Sequence, residues 1–280
     1  MQSIRKINIG CGRTFHPDWI NLDVSTSDPN VLVVDINKGL PFPSRSVDVC
    51  YSSHVLEHLD RDGACKLLAE CFRVLNDDGI IRLVLPDLEV LALEYIRALE
   101  DVSSGNRDRE LDYDWIMLEL YDQTVRSAPG GKMAQFLASL KEESRDFVRS
   151  RIGVEADQFW GNLQYRPSES KFKLFLNKSF LKSTVKISRE KLAGLFVYLI
   201  AGKAAFKSFQ LGIFRSSGEI HQWMYDRYSI TRLLNDAGFI NVKICAANES
   251  AIPAFEKYSL DILNGVVRKP DSFYVEAFKS

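Results

Sequence analysis

The chain has 280 residues, enough for one large domain or two small ones, and its 46% hydrophobic and 26% charged residues exclude a chain that is wholly disordered or coiled coil. The 36 basic and 37 acidic residues leave a formal net charge of −1, which argues against a protein that coats nucleic acid. Five cysteines, an odd number with no CxxC pair, indicate a reducing cytoplasm and predict no metal site.

Five short apolar runs in the first third of the chain are typical of β-strands. They are residues 6–9, 20–23, 31–35, 47–51 and 80–85. The third run is apolar enough to predict a strand that is covered on both faces. Residues 60–75 are predicted to form a helix that Asp60 caps and that ends in the turn at Gly79. This order of elements predicts an open, mostly parallel sheet.

The end of the chain returns to the same alternation. Ser229 is predicted to cap a helix, and residues 239–244 and 272–278 resemble two further strands. We therefore predict an α/β fold of the Rossmann-like, doubly wound kind, with a sheet of about seven strands. Its core would consist of residues 1–86 and 221–280.

The intervening residues, 87–220, are predicted to form a helical insert after the fifth strand. Charge is strongly sorted within it: residues 87–123 carry 11 acidic and 3 basic residues, whereas residues 171–208 carry 9 basic residues and 1 acidic residue. Attraction between these two segments would make the insert a lid over the cleft of the sheet, and we expect that lid to be mobile.

Small and acidic residues follow the first three strands, where ligands bind in an open parallel sheet. Gly10-Cys11-Gly12 would let a ligand approach the backbone, Asp23 could accept both hydroxyl protons of a ribose, and Asp35 could accept an exocyclic amine. Each also has a structural interpretation, as a tight turn, a turn residue or helix cap, and a solvated strand end. Together they predict a site for an adenosine without pyrophosphate, since the third glycine of GxGxxG and the P-loop motif are missing.

Several segments resemble a known family. They are NIGCG, INLD, VVDINKGLPFPSRSVDVCYSSHVLEHL, ECFRVLNDDGIIRLVLPDL and the run from His221 to Phe239. Over residues 6–88 and 221–245 the chain is similar to Rossmann-like (class I) S-adenosylmethionine-dependent methyltransferases of the methyltransferase type 11-like small-molecule group. The insert resembles that of a bacterial subgroup whose members often sit near surface-polysaccharide genes.

The resemblance implies methyl transfer from S-adenosylmethionine to a small molecule or glycan, at oxygen rather than carbon and without a metal. The glycine segment would line the methionine and ribose, the two aspartates would bind ribose and adenine, and His54 would lie below the methyl group. The residues that the resemblance assigns to the cofactor are Gly10, Cys11, Gly12, Asp23, Asp35, Ile36 and Ser53.

Five residues are candidates for the acceptor side. His221 is the favoured general base, because it follows the insert and would approach from the acceptor side, while His54 would shape the floor of the pocket. Trp223 and Tyr225 could form an aromatic wall, or could anchor the insert to the sheet. Arg126 could hold an anionic group of the substrate, or could pair with the acidic part of the insert.

The sequence departs from the family in its first crossovers. Only six residues, 13–18, separate Gly12 from Trp19, too few for the usual helix, and residues 24–30 form an equally short gap. We therefore expect thin cover on one face of the sheet, with the insert compensating. Asn8 stands where the family often has an acid, so it cannot offer a charge to the ammonium of the cofactor.

The basic segment 171–208 interleaves lysine with apolar residues, which is typical of an element that lies on an anionic membrane. Alternatively, it packs inside the lid. Its longest uncharged run, eleven residues from Leu192 to Gly202, is too short to span a bilayer, and no apolar core of a signal peptide is visible at the start. We expect a cytoplasmic enzyme with peripheral membrane contact, or else a non-catalytic cofactor-binding or scaffolding protein of the same fold.

Overall fold

The computed structural model describes residues 4–164 and 189–280, and a seven-stranded sheet forms its centre. The strands are β1 (Lys6–Ile9), β2 (Ile20–Asp23), β3 (Val31–Val33), β4 (Val47–Ser53), β5 (Leu75–Pro86), β6 (Phe239–Cys245), β7 (Ile262–Leu263), β8 (Val266–Val267) and β9 (Ser272–Lys279). Their order in the sheet is β3-β2-β1-β4-β5-β9-β6, and β7 pairs with β8 separately. The pairings among β1 to β5 are parallel, whereas β9 is antiparallel to β5 and β6. The predicted α/β fold is confirmed.

Eight helices surround this sheet in the described part of the chain. They are α1 (Arg61–Val74), α2 (Leu88–Ser103), α3 (Glu110–Val125), α4 (Gly131–Ser139), α5 (Asp146–Ile152), α6 (Val154–Gln164), α7 (Arg189–Arg215) and α8 (Arg227–Asp236). Helices α2 to α7 lie between β5 and β6, where the sequence predicts the insert. Helices α2 to α6 supply a core of their own around Trp115 and Trp160.

Helices α1 and α8 cover one face of the sheet. The predicted cap of α1 is confirmed, since Asp60 Oδ1 accepts a hydrogen bond of 2.7 Å from the Gly63 amide. The predicted end of α1 is wrong: Leu75 is already extended and pairs with Val47 in the sheet, and the left-handed residue is Asp78 (φ +63°), not Gly79. Burial of Leu75 against the core draws the chain into the strand early.

The cap of α8 also differs from the prediction. Asp226, not Ser229, is the N-cap residue, and its Oδ1 accepts a hydrogen bond of 2.7 Å from the Ser229 amide. The Ser229 hydroxyl accepts a hydrogen bond of 3.0 Å from the Asp226 amide. The two residues form a reciprocal capping box, so the serine is the partner of the cap.

The other face of the sheet is covered by the chain between β6 and β9. Phe255 and Tyr258 from this segment pack on Trp19 and on Tyr51 of β4. The expectation that the insert covers the thin face is therefore wrong. The segment can do so because residues 10–19 and 24–30 form turns that leave the face free of crossover helices.

Strand β3 was predicted to be covered on both faces, and this is wrong. It is the edge strand of the sheet, and Leu32 and Val33 are 50% and 67% exposed. A run of apolar residues does not distinguish a central strand from an edge strand when the crossover that would cover it lacks a helix.

Helix α7 is long and apolar enough to cross a membrane by length and composition. Gly202 breaks it, with φ +78° and ψ −175°, so that its two arms fold back on each other. The rings of Tyr198 and Phe206 lie 5.9 Å apart across the arms. We call this kinked element the α7 hairpin. The part of the basic segment before residue 189 lies outside the described residues.

Candidate functional site

A cavity of 580 Å³ lies at the carboxyl ends of β1, β2 and β4, within the size range of small-molecule sites. Among the residues that line it are five that the sequence predicts for the site, Gly10, Asp23, Asp35, Ile36 and His54. The insert contributes Ser216, Ser217 and Gly218 to the same wall. We call this space the cofactor cavity.

The turn after β1 has a geometry that requires glycine. Gly10 has φ +65°, and a Cβ atom there would lie 2.3 Å from Cγ2 of Val55, which is a severe clash. Gly12 has φ +53°, and a Cβ atom there would meet no atom within 4 Å. The backbone at Gly12 is therefore open to a ligand.

The carboxylate of Asp23 is tied to this turn. Its Oδ2 accepts a hydrogen bond of 2.8 Å from the Gly12 amide, and its Oδ1 accepts one of 3.2 Å from the Ser25 amide. Each carboxylate oxygen has two lone-pair sites, so both oxygens can still accept a hydroxyl proton. This arrangement fits a ribose that lies against the glycine turn.

Asp35 caps the short turn that follows β3. Its Oδ1 accepts a hydrogen bond from the Asn37 amide, and its Oδ2 lies 3.2 Å from Nζ of Lys38. The hydrogen bonds from Lys38 and from the Asn37 amide lower the pKa of the Asp35 carboxyl, so the group is a charged acceptor at neutral pH.

A smaller cavity of 210 Å³ continues past Gly10 and His54, which line both spaces. It contains the remaining predicted cofactor residues, Cys11, Gly12 and Ser53. The Cys11 thiol is buried, and burial raises its pKa to about 11, so it is a neutral group in the wall of this cavity.

Four charged residues of the smaller cavity were missed by the sequence analysis: Arg13, Glu155, Arg268 and Lys269. Glu155 of α6 and Lys269 both line it, and Lys269 Nζ lies 2.5 Å from Glu155 Oε1. They are 114 residues apart in the sequence, and no motif marks either. Only the docking of the insert on the segment before β9 brings them to the glycine turn.

His54 follows β4 with a left-handed backbone (φ +54°) and a largely buried ring. Its Nε2 lies 2.8 Å from the Ser272 hydroxyl, and its Nδ1 lies 3.4 Å from Oε1 of Glu57. Burial holds the pKa of His54 well below its ordinary value, with help from Lys269. The imidazole is therefore neutral and fixed by two neighbours, as expected for a residue that shapes the floor of a pocket.

A third cavity, of 700 Å³, adjoins the cofactor cavity and shares Ser216 and Gln222 with it. We call it the acceptor cavity. His221 and Trp223 line it, as the sequence analysis expects for acceptor-side residues. Burial, followed by the nearby His58, lowers the pKa of His221 to about 3. Trp223 is held by the Arg61 guanidinium, 4.8 Å from its ring.

Two predicted substrate residues lie elsewhere. Tyr225 is buried in the core below α1 and α8, and its carbonyl accepts a hydrogen bond of 3.1 Å from the Leu88 amide. It anchors the insert, and the interpretation as an aromatic wall is not supported. Arg126 pairs with Asp122 at 3.2 Å and with Glu219 at 3.3 Å, so its guanidinium is used inside the insert.

A groove of 820 Å³ lies at the opposite edge of the sheet, beside Arg5, Asp48 and Asn76. It is larger than the cavities described above, but it lies at the amino ends of the strands. Ligands in open parallel sheets bind outside the carboxyl ends of the strands, so the topology of the sheet favours the cofactor and acceptor cavities as the ligand sites.

Residues 8–83 match the family model described as "Methyltransferase domain". Two solved structures are similar to the chain: an S-adenosylmethionine-dependent methyltransferase from Archaeoglobus fulgidus (13% identity, TM-score 0.39, 99% of this chain and 87% of that chain) and one from Thermotoga maritima described as a possible histamine N-methyltransferase (11% identity, TM-score 0.40, 100% and 84%). Because both TM-scores are below 0.5, neither similarity supports a function for this chain. No protein of curated function has a significantly similar sequence. Within residues 8–83, the match supports a methyltransferase domain, a class of domain that uses S-adenosylmethionine as its cofactor.

Proposed function

We propose that the chain transfers the methyl group of S-adenosylmethionine to a hydroxyl of a small molecule or glycan, in the cytoplasm and in surface-polysaccharide metabolism. The observation that carries the proposal is the pair of adjoining cavities, one with adenosine-binding chemistry and one lined by His221 and Trp223. Methyl transfer is an in-line displacement, so it needs donor and acceptor sites that meet.

The residues around the cofactor cavity fit S-adenosylmethionine. Asp23 would hold the ribose, Asp35 and the backbone at Ile36 the adenine, and the open backbone at Gly12 the methionine side. Glu155 and Lys269 carry the opposite charges that an amino-acid end group would need. When bound, the cofactor supplies an electrophilic methyl group on a sulfonium.

The residues of the chain would then align the acceptor and exclude water. We propose that residues 87–220 act as the lid, because Ser216 to Gly218 already wall the cofactor cavity. His221 was the favoured base, but an imidazole with a pKa of about 3 accepts a proton poorly at neutral pH. We propose that its neutral ring accepts a hydrogen bond that orients the acceptor hydroxyl.

The test is formation of S-adenosylhomocysteine from S-adenosylmethionine when the intact chain is supplied with sugars, nucleotide sugars and small phenols. Acceptor-dependent formation supports the proposal. Cofactor binding without turnover on any fraction of a cell extract would instead support the non-catalytic, scaffolding alternative.

Asp23→Ala should weaken the binding of S-adenosylhomocysteine at least tenfold. The substitution removes charge-assisted hydrogen bonds, each worth about 1.5–3 kcal/mol. Calorimetry on both proteins measures the change, and Asp28→Ala is the matched control, since Asp28 lies in the same loop and accepts from the Asn30 amide instead. Equal affinity in Asp23→Ala would remove Asp23 from the cofactor site.

We also propose that the chain contacts an anionic membrane through the α7 hairpin. Its apolar side chains point outward in the described structure, with Phe196, Leu199 and Ile200 at 55%, 68% and 84% exposure. Lys203 and Lys207 follow directly after the kink. Each arm has about 13 residues and is roughly 20 Å long, too short to cross a bilayer but long enough to lie in its interface.

Ile200→Asp should reduce co-sedimentation with vesicles of phosphatidylglycerol and phosphatidylcholine by severalfold, because it buries a charge in the lipid interface. Leu111→Asp, at an exposed apolar position of α3, is the control and should bind as the unaltered chain does. Equal binding by both variants, or no binding by the unaltered chain, would contradict membrane contact through the hairpin.

A further inference from the structure

Three potential metal ligands meet beneath the acceptor cavity. Glu57, His58 and His221 each place one ligand atom within 4.8 Å of the other two. The main chain holds them together, since the Glu57 carbonyl accepts hydrogen bonds of 2.7 Å and 3.2 Å from the amides of Gln222 and Trp223. The segment that follows the insert therefore lies directly on the turn that follows β4.

The Glu57 carboxyl group is fully buried, and neither of its oxygens has a hydrogen-bond partner among the described residues. Its nearest basic group is the His54 ring, whose Nδ1 lies 3.4 Å from Oε1. Buried carboxyl groups in folded proteins are nearly always paired or bound to a metal, because an unpaired one loses its hydration without compensation. Burial raises its pKa to about 8. The buried Tyr225 hydroxyl, in the same region, also lacks a partner. In the described part of the chain, three buried oxygen atoms in this region therefore have no hydrogen-bond partner.

The two imidazoles are prepared for coordination. His58 Nδ1 lies 3.1 Å from the Ile220 carbonyl, and a bond donated there leaves the Nε2 lone pair available. Metal-binding histidines commonly donate their other ring N–H to a carbonyl in this way. The His221 ring lies 4.8 Å from that of His58, in an edge-to-face arrangement.

We propose that Glu57, His58 and His221 bind one divalent transition-metal ion. Zn²⁺ and similar ions are commonly bound by two imidazoles and one carboxylate. Three protein ligands would leave the fourth coordination position of such an ion free for water or substrate. His58 lines the cofactor cavity and His221 the acceptor cavity, so the ion would lie between the two. If the proposed function holds, the acceptor oxygen would take the open position on the ion in place of the hydrogen bond to His221, and the ion would lower the pKa of that oxygen.

The sequence analysis predicts no metal site from the cysteines, and it does not find this cluster because His58 and His221 are 163 residues apart and no motif joins them. Two cations lie near the cluster, but both are already paired. Lys269 is 2.5 Å from Glu155, and Arg126 pairs with Asp122. The competing occupant is a group of buried waters, which can also satisfy orphaned polar atoms.

The test measures metal binding and requires no acceptor. The intact chain in a Cys65→Ser background, which removes the exposed thiol, is treated with chelator, desalted and titrated with Zn²⁺ against a chromogenic competitor. We expect one Zn²⁺ per chain, and Co²⁺ in its place should give visible d–d absorption. Changes at outer-sphere partners already cost 10–100-fold in affinity, so Glu57→Gln should weaken Zn²⁺ binding at least tenfold.

His221→Asn should weaken Zn²⁺ binding similarly, whereas His16→Asn should not, because His16 packs on Tyr258 away from the cluster. Far-UV circular dichroism verifies that each variant folds; Glu57→Gln keeps the shape of a side chain that is neutral at pH 7 without metal. Absence of stoichiometric binding of Zn²⁺, Co²⁺ and Mn²⁺, or unchanged affinity in Glu57→Gln, would overturn the site in favour of buried water. Failure of methyl transfer with intact metal binding would overturn only the proposed function.

Discussion

Replacing Arg82 by leucine should lower the free energy of unfolding by about 3–5 kcal/mol, the usual cost of leaving a buried ion pair without one partner. Arg82 lies on β5, is fully buried, and places Nη2 2.7 Å from Asp261 Oδ2 and Nη1 2.7 Å from Glu276 Oε1. Its guanidinium also packs 4.8 Å from the Phe255 ring. The substitution leaves two carboxylates in a space closed by aromatic rings.

Denaturant unfolding measures this change, and Arg97→Leu is the matched control. Arg97 pairs with Glu94 on the surface of α2, where such a pair is worth about 0–1 kcal/mol. Combining Arg82→Leu with Asp261→Asn and Glu276→Gln should recover most of the loss, because no unpaired charge then remains. A loss below about 1 kcal/mol in the single variant would mean that the triad does not hold the β6–β9 segment on the sheet.

The contacts of Arg82 show why the sequence predicts strands better than the cover of the sheet. The run of residues 80–85 within β5 is apolar enough to predict a buried strand, and the prediction is confirmed. The partners of its one charged residue lie 179 and 194 residues further along the chain. The cover of the second face depends on those partners, and no local pattern encodes them.

The same distinction holds for the candidate site. Gly10, Asp23 and Asp35 stand at strand ends, and parallel strands bring their carboxyl ends to one edge, so the sequence can predict that they meet. Glu57 lies in the motif SSHVLEHL that carried the family resemblance, yet it was missed. Its importance depends on burial and on His221, which lies 164 residues away.

In and beside the insert, the residue type alone does not predict whether a side chain binds a ligand. Arg126 and Tyr225 have the side chains of ligand-binding residues, and both are used for internal contacts. An ionic or aromatic side chain has many more ways to stabilise the segment that carries it than to face a ligand. Only the contacts distinguish the two.

Gly153, between α5 and α6, lies where the insert docks on the segment before β9. This residue has φ +56° and ψ −131°, a conformation that side chains other than glycine rarely adopt. A Cβ atom there would lie 2.7 Å from both the Arg268 carbonyl and Pro270 Cδ, and neither can move without moving the main chain. The segment that would shift carries Lys269, the partner of Glu155 at the smaller cavity.

Gly153→Ala should therefore destabilise the protein by about 2–3 kcal/mol, since a strained backbone costs about 1–3 kcal/mol and the clash adds to it. The midpoint of thermal unfolding should fall by roughly 5–10 °C for a chain of this size. Binding of S-adenosylhomocysteine should weaken as well, because Lys269 moves. Gly161→Ala is the control in the neighbouring helix: its Cβ atom meets nothing within 4 Å, and alanine favours a helix over glycine by about 0.5–1 kcal/mol. If both variants melt alike and bind the cofactor product alike, α6 does not dock on the segment before β9, and the Glu155–Lys269 pair has no part in the cofactor site.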